Sequence, residues 1–290
     1  MYKDTGEFQK VSREDQKKIA VINDFCGFGR CSIAVSLPII SAMKIQCCPL
    51  PTSVFSNHTG YDSYYYTDCT AYMDRYIDEW EKLGLSFDGI LTGFLGSPEQ
   101  IDIVSRFMRR FKNDKNITVI DPVMGDDGKL YPTYSPKLAE KMCELVHYAD
   151  ILTPNLTEAC ILTRTEYDEN MKDEALLEIC EKLGRMGPGK IVISGLERDG
   201  DLANFIYESG RDPIVITEHK AGPCRAGTGD VFSSIIAADA VKGRDLVSAV
   251  RHASAFIAKC LRRTAELGMP LPDGICFEEY LSEINDGYKL

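Results

Sequence analysis

Residues 117–155 read ITVIDPVMGDDGKLYPTYSPKLAEKMCELVHYADILTPN. They begin with a short β-branched run, pass through glycines and aspartates, and carry apolar residues at helical spacing between positions 135 and 146. A second short run, ADIL at 149–152, follows and again ends in polar residues. A strand, a helix and a strand in this order predict two parallel strands whose connecting helix packs on the sheet.

The same alternation extends over most of the chain. We predict strands at 19–25, 45–51, 88–94, 117–123, 149–155 and 190–194. We predict helices at 30–43, 67–85, 97–112, 135–146 and 173–186, and again from 230 onwards. Near residue 200 the pattern changes, because LANFIYES (202–209) and DPIVITEH (212–219) predict a local antiparallel pair. The expected fold is therefore α/β, with a mostly parallel central sheet and helices on both faces.

Length and composition predict one large soluble domain. The 290 residues contain no Pro/Gly/Ser-rich linker, so we expect a single domain at 18–290 behind a polar, disordered tail at 1–17. The net charge of -11 argues against nucleic acid as a partner, and no apolar run is long enough to predict a membrane span. Many of the eleven cysteines sit in apolar segments without a C-x-x-C pair, which favours a reducing cytoplasm.

Residues 227–230, Gly-Thr-Gly-Asp, stand directly before an apolar run that begins at Val231. Glycines permit unusual backbone conformations, and the free amides of a helix start bind phosphate and stabilise developing negative charge. Asp230 would then be a carboxylate beside an anion hole. The alternative interpretation is that Asp230 only caps its helix, a common role of aspartate.

Two further strand ends carry carboxylates and amides. Asp121 and Asp126 follow one predicted strand, and Asn155 and Glu158 lie three residues apart after the next. Such groups suit Mg²⁺, which keeps several waters and is shared with nucleotide phosphates. The alternative is again structural, with Thr153 or Asn155 as an N-cap and Glu158 as its capping-box partner.

Five segments together resemble the pyridoxal kinase family of the ribokinase-like superfamily. They are FSNHTGY (55–61), LTGFLGS (91–97), IDPVMGD (120–126), DILTPNLTE (150–158) and AGTGD (226–230). The resemblance extends from about residue 19 to about residue 263. It implies a three-layer ribokinase-like fold and ATP-dependent phosphorylation of the 5′-hydroxymethyl group of vitamin B6 vitamers, namely pyridoxal, pyridoxine and pyridoxamine.

The resemblance also implies a role for individual residues. Asp230 matches the catalytic base that takes the proton from the vitamer hydroxyl, and Gly227, Thr228 and Gly229 match the anion hole around the transferring phosphoryl group. The vitamer is expected to contact Asn23, Asp24, Thr59 and Asp230. Residues 125–131, GDDGKLY, fall where the family has a mobile flap whose Lys129 suits closure over ATP phosphates.

ATP, Mg²⁺ and a monovalent cation such as K⁺ are the expected cofactors. The resemblance places the nucleotide near Asp121, Asn155, Glu158, Ser194, Gly227 and Thr228. It places the metal ions near Asp126, Thr153 and Glu158.

Two positions differ from the family pattern. Asn23 and Asp24 replace the usual Ser-His pair after the first strand, and Phe94 stands where many members have tyrosine. The short acidic turn resembles hydroxymethylpyrimidine kinases of thiamine synthesis, which are the alternative assignment. A third possible assignment is a non-catalytic protein that binds pyridoxal phosphate.

Other sequence features are expected to be structural. His58 is expected to make structural hydrogen bonds rather than act as an acid or base. The aromatic segment DSYYYTDC (62–69) is expected to pack on a sheet or on a second subunit, as in the homodimers usual in the family. The predicted helix at 67–85 carries Tyr72, Tyr76, Trp80 and Leu83 on one side.

Overall fold

The computed structural model describes residues 16–285, and its centre is one nine-stranded sheet. Of the predicted tail at 1–17, only the last two residues are among those described. Residues 286–290 also lie outside the described residues. The strands are β1 (Lys18–Phe28), β2 (Gln46–Asn57), β3 (Tyr66–Asp68), β4 (Gly89–Thr92), β5 (Ile117–Ile120), β6 (Gly125–Asp126), β7 (Lys129–Leu130), β8 (Ile151–Leu152), β9 (Lys190–Arg198), β10 (Asp201–Glu208) and β11 (Ile214–Glu218). The helices are α1 (Ile33–Ala42), α2 (Thr70–Lys82), α3 (Pro98–Phe111), α4 (Pro136–Val146), α5 (Leu156–Thr163), α6 (Asp173–Gly184), α7 (Thr228–Val241) and α8 (Leu246–Glu266), with short 3₁₀ helices at Leu271–Asp273 and Glu278–Glu283.

The central sheet has the order β11-β10-β9-β8-β5-β4-β1-β2-β3. The six strands from β9 to β2 pair in parallel, whereas β10, β11 and β3 pair antiparallel. Strands β6 and β7 form a separate hairpin. The predicted mostly parallel sheet and the predicted antiparallel pair near residue 200 are both confirmed.

Two hydrophobic cores cover the two faces of this sheet. Side chains alternate along β1, so that Ile19 and Val21 pack with α1, α7 and α8, whereas Ala20 and Ile22 pack on the opposite side with α2 to α6. This arrangement confirms the predicted three layers. Among residues 16–285, every helix is too short or too polar to cross a lipid bilayer.

The helix at Thr70–Lys82 packs on the core through two residues outside the set noted in its sequence, and through Trp80 of that set. Met73 and Ile77 face the core, while Tyr72 is 64% exposed and Tyr76 44% exposed. The three residues of β3, which precede this helix, form an exposed edge strand that the sequence pattern did not predict. The tyrosines of this region therefore lie on a surface and not in the core.

The parallel strands place the site at one edge of the sheet. Strands β1, β4, β5, β8 and β9 all run in the same direction, so the segments that follow them meet at their carboxyl ends. The start of α7 joins them there, since Gly227 packs against the backbone of Arg30, which follows β1. The predicted site residues come from these segments and from the loop after β2.

Candidate active site

The helix start at Gly227 has the geometry of an anion site. Gly227 is the N-cap residue at φ 80°, and a Cβ atom there would lie 1.9 Å from the carbonyl oxygen of Arg30. Only glycine fits this position. The first helical hydrogen bond runs from the N–H of Val231 to the carbonyl of Gly227, so the amides of Gly229 and Asp230 precede it. Such amides are available to an anion.

Asp230 lies in the first turn of α7, three residues after the N-cap residue Gly227. The capping interpretation of this residue is therefore wrong. Its Oδ1 instead accepts a hydrogen bond of 3.1 Å from Nδ2 of Asn23, and its carboxylate accepts another from the backbone N–H of Ser32. Burial, opposed by these two hydrogen bonds, raises the pKa of Asp230 to about 6. The group is ionised at neutral pH and still basic enough to accept a proton.

The amide of Asn23 has a single consistent orientation. Its Oδ1 accepts hydrogen bonds from the backbone N–H of Asp24 at 2.9 Å and of Phe94 at 2.7 Å, which leaves its Nδ2 to donate to Asp230. Gly93 makes this possible, because a Cβ there would lie 2.5 Å from the Asn23 side chain. Asn23 is only 4% exposed and Asp24 only 5%. Asn23 therefore holds the carboxylate of Asp230, and the contact of Asn23 and Asp24 with the substrate stays a prediction.

Ser32 is a site residue that the sequence interpretation missed. It sits at φ 58° and ψ -138°, a conformation that non-glycine residues rarely adopt, and it pairs in antiparallel fashion with Phe25. In this conformation its N–H reaches Asp230 and its hydroxyl bonds Asp24. Because Ser32 acts through its backbone N–H, its residue type did not indicate this role. The only signal was the pair of glycines, Gly27 and Gly29, which indicates a tight turn between β1 and α1.

Glu158 and Asn155 form a capping box at the start of α5, as the structural alternative predicted. The Glu158 carboxylate accepts from the N–H of Asn155 at 2.9 Å and from the N–H of Met124 at 3.0 Å. Burial, partly opposed by these hydrogen bonds, raises the pKa of Glu158 to about 8. The residue therefore combines a structural role with a buried and largely protonated carboxyl group.

Asp121 lies at the end of β5, between Glu158 and the base. Burial, followed by the charges of Glu158 and Asp230, raises its pKa well above the usual range of aspartate, against a hydrogen bond from Ser233. In their ionised forms, these three acidic side chains from the end of a strand and from two helices would repel one another. A bound cation at this place would relieve the repulsion.

The other predicted nucleotide and metal residues surround this acidic group. Asn155 donates to the carbonyl of Gly125 and pairs with Ser194 through a backbone bridge, so α5, β9 and the hairpin meet here. The Thr153 hydroxyl donates to the carbonyl of Ile120 at 3.4 Å. Asp126 is exposed, and its charge raises the pKa of Glu158 further. The structure thus brings these residues, which are distant in sequence, to one place in the fold.

No three His, Cys, Asp or Glu side chains of residues 16–285 are grouped to ligate a metal by themselves. The acidic group still fits Mg²⁺, because that ion takes one or two carboxylates and completes its shell with water and substrate phosphates. The raised pKa values of Asp121 and Glu158 support this, since a nearby cation would favour their charged forms.

The predicted flap is the hairpin of β6 and β7. Its turn residues Asp127 and Gly128 have φ values of 48° and 74°, as in a two-residue type I′ turn. The N–H of Gly128 donates to the Thr157 hydroxyl at 2.8 Å and fastens the tip to α5. Lys129 is exposed on this hairpin.

The loop after β2 carries Thr59, which is exposed, and His58. The Nδ1 atom of His58 accepts from the N–H of Gly60 at 3.1 Å, so Nε2 carries the proton and donates to the carbonyl of Pro272 at 2.6 Å. Tyr61 donates to Asp273 at 2.9 Å. The structural role expected for His58 is confirmed.

Comparison with known proteins agrees with this geometry. The model of the family described as phosphomethylpyrimidine kinase matches residues 40–271. The chain belongs to this kinase family. A pyridoxal kinase of Arabidopsis thaliana is 32% identical over 231 residues, which are 75% of this chain and 72% of that protein. The predicted relationship to the pyridoxal kinases is therefore confirmed, and with it the assignment as a phosphotransferase that acts on an alcohol group.

Solved structures extend the comparison to nearly the whole kinase. A Bacteroides thetaiotaomicron protein assigned to the phosphomethylpyrimidine kinases is 36% identical, with a TM-score of 0.92 over 95% of this chain and 96% of that one. A second crystal form of it, with pyridoxal, is 37% identical, with a TM-score of 0.88 over 93% of this chain and 96% of that one. A pyridoxal kinase of Lactobacillus plantarum, 24% identical with a TM-score of 0.86 over 93% of this chain and 97% of that one, shows the same fold.

Glu158→Gln is expected to change the pH dependence of stability. The pKa of Glu158 is about 8 in the folded kinase, above the ordinary glutamate value, so the folded state holds the proton more tightly than the unfolded state does. The wild type should therefore lose stability relative to the variant as pH rises from about 5 to about 9. The loss amounts to ~1.4 kcal/mol for every tenfold difference in proton affinity between the folded and unfolded states. Urea unfolding at several pH values measures the difference.

Glu99→Gln is the matched control, because Glu99 is an exposed glutamate in the first turn of α3. Its stability should follow that of the wild type across the same pH range. A constant difference between the wild type and Glu158→Gln would show that Glu158 is not held protonated.

Proposed function

We propose that this kinase transfers the γ-phosphoryl group of ATP to the 5′-hydroxymethyl group of vitamin B6 vitamers, with Asp230 as the base. The observation that carries the proposal is the hydrogen bond of 3.1 Å from Asn23, which holds Asp230 at the amide-rich start of α7. The Arabidopsis relative named pyridoxal kinase and the Bacteroides protein crystallised with pyridoxal support the choice of substrate.

The mechanism follows from the charge state of Asp230. With a pKa of about 6, its carboxylate is ionised at neutral pH and takes the proton of the attacking hydroxyl. The amides at the start of α7 stabilise the charge on the phosphoryl oxygens during transfer. Bound Mg²⁺ would neutralise part of the negative charge on the phosphates.

The nucleotide is proposed to lie along the ends of β5, β8 and β9. Asp121, Glu158 and Asp126 would hold Mg²⁺ through its waters, and the electrostatic repulsion among them supports this assignment. Thr153 and Ser194 would lie near the phosphates and a monovalent cation. Thr59, on the exposed loop after β2, would contact the vitamer ring.

Hydroxymethylpyrimidine phosphorylation is the second candidate function. The family description and the short acidic turn at Asn23 and Asp24 favour it. Both substrates present a hydroxymethyl group on a nitrogen heterocycle, so the same base and anion site would serve either reaction. A non-catalytic pyridoxal phosphate-binding protein is less well supported, because binding alone does not require a base held in this way.

We also propose that the kinase is cytoplasmic and forms a homodimer. All eleven cysteines are free, as expected in a reducing compartment. The edge strand β3, the loop before it and the helix after it expose Tyr64, Tyr65, Tyr66, Tyr72 and Tyr76. A cluster of exposed aromatic side chains beside an unpaired strand edge suits a second copy of the chain.

The substrate assignment predicts turnover of pyridoxal with ATP and Mg²⁺, and no turnover of the thiamine pyrimidine. Purified protein is incubated with each vitamer or with hydroxymethylpyrimidine, and ADP and phosphorylated product are measured. Turnover of the pyrimidine alone would establish the second candidate. Tight pyridoxal phosphate binding without any turnover would favour the third candidate, a non-catalytic pyridoxal phosphate-binding protein.

Asp230→Asn is expected to lower kcat by about 10²- to 10⁴-fold, the usual contribution of a general base. ATP binding, measured by calorimetry, should stay within about twofold, because the amides of α7 remain in place. Asp245→Asn is the matched control, since Asp245 is a true N-cap whose side chain accepts from the N–H of Ser248. Asparagine caps helices about as well as aspartate, so this variant should stay close to the wild type in stability and keep its turnover. Unchanged turnover in Asp230→Asn would remove the residue from the mechanism.

The dimer proposal predicts the mass of two chains for the wild type in analytical ultracentrifugation. Tyr65→Asp, which places a charge on a side chain that is 74% exposed, should shift the protein to the mass of one chain. Leu267→Asp is the control, because Leu267 is also exposed but lies at the end of α8. A dimer that survives Tyr65→Asp would place the interface elsewhere.

A further inference from the structure

Two cysteines flank the turn at the end of the first strand, Cys26 within β1 and Cys31 shortly before α1. In the segment CGFGRC, residues 26–31, the neighbouring residues Phe25 and Ser32 form an antiparallel bridge. In that register Cys26 lies directly opposite Cys31. Residues in such positions have Cα atoms about 4.5–5.5 Å apart, within the range of about 4.4–6.8 Å found for disulfides.

The two thiols lie in one small buried cluster. The neighbouring Cys31 thiol and burial together hold the pKa of Cys26 far above its usual range. Cys26 is 1% exposed and Cys31 8%, and both pack against Phe55. Cys31 is thus the thiol nearer to solvent, and Cys26 is held as a neutral partner behind it.

This pair is connected to the base by short paths. The Cys26 thiol donates to Oδ2 of Asp24 at 3.3 Å, and the same carboxylate accepts from the Ser32 hydroxyl. Ser32 follows Cys31 directly and gives its N–H to Asp230 from a strained conformation, φ 58°. Any movement of Cys31 therefore acts on the hydrogen bond that positions Asp230.

We propose that Cys26 and Cys31 are a modification site, where a peroxide forms a reversible disulfide that lowers turnover. Hydrogen peroxide accepts two electrons from the pair. Its O–O bond is broken by the Cys31 sulfur, which gives a sulfenic acid and one water. The Cys26 sulfur then attacks that sulfur, the S–S bond forms, and a second water leaves. A dithiol reductant reverses the change.

The disulfide acts on the base in two ways. It removes the S–H group that donates to Asp24, so a buried carboxylate loses one of its hydrogen bonds. It also draws Cys31 towards Cys26, because a covalent S–S bond is much shorter than a thiol contact. The amide of Ser32 then moves away from Asp230. The nucleotide side, which is built on β5, β8 and β9, is left unchanged.

The experiment uses the full-length wild-type protein, reduced first and then treated with hydrogen peroxide. Peptide mapping is expected to find a Cys26–Cys31 crosslink, together with a fall in pyridoxal kcat of roughly tenfold, the effect of one lost hydrogen bond to a charged group. The KM for ATP should stay constant, and a dithiol should restore turnover. Full turnover in crosslinked protein, or loss of turnover without the crosslink, overturns the proposal.

Two variants separate this pair from the other thiols. Cys31→Ala should form no crosslink and should keep its own turnover after peroxide treatment. Cys224→Ser removes an exposed thiol and should behave as the wild type does. The turnover part rests on the proposed function, but the crosslink is measured without substrate. A reduced wild type that turns over no substrate would refute the proposed function, whereas absence of the crosslink would refute only the present inference.

Discussion

The side-chain amide of Asn23 holds three parts of the site together. Its oxygen accepts from the backbone N–H of Asp24, within β1, and from the backbone N–H of Phe94, after β4. Its nitrogen donates to Asp230 at the start of α7. Because β1 and β4 are neighbouring parallel strands whose pairing ends at Ile22 and Thr92, the amide of Asn23, just beyond that point, can reach both. The position of the base thus depends on the register of the sheet.

The electrostatics of the site depend on the same arrangement. Asp24, Asp121, Glu158 and Asp230 are brought together by the ends of β1 and β5 and the starts of two helices, and burial raises the pKa of each. So many carboxyl groups in one place destabilise the folded state unless they are protonated or neutralised. A group of this kind is understandable as a binding site for a cation and for hydroxyl or phosphate groups. The destabilisation from buried carboxyl groups is therefore found at the candidate active site.

Much of the fold was predictable from sequence, because strand and helix periods differ and the parallel alternation repeats. The positions of the candidate site residues in the fold were predictable, since Asp121, Asn155, Glu158 and Asp230 all follow strands or begin helices. The role of Asn23 was not, because a polar side chain after a strand gives no sign of whether it faces the ligand or the base. Ser32 acts through its backbone N–H, which every residue except proline possesses. Side-chain chemistry therefore could not reveal it.

The two interpretations of Asp230 differ in what they require of its position. An N-cap residue stands before the first helical residue, and here that position belongs to Gly227, which packs on the carbonyl of Arg30. A carboxylate in the first turn is normally stabilised by the helix dipole, which lowers its pKa. In Asp230 burial outweighs that effect and the two hydrogen bonds, and the pKa rises to about 6. A capping role does not require a raised pKa. A base that must be ionised at neutral pH and must also retain some affinity for a proton requires it.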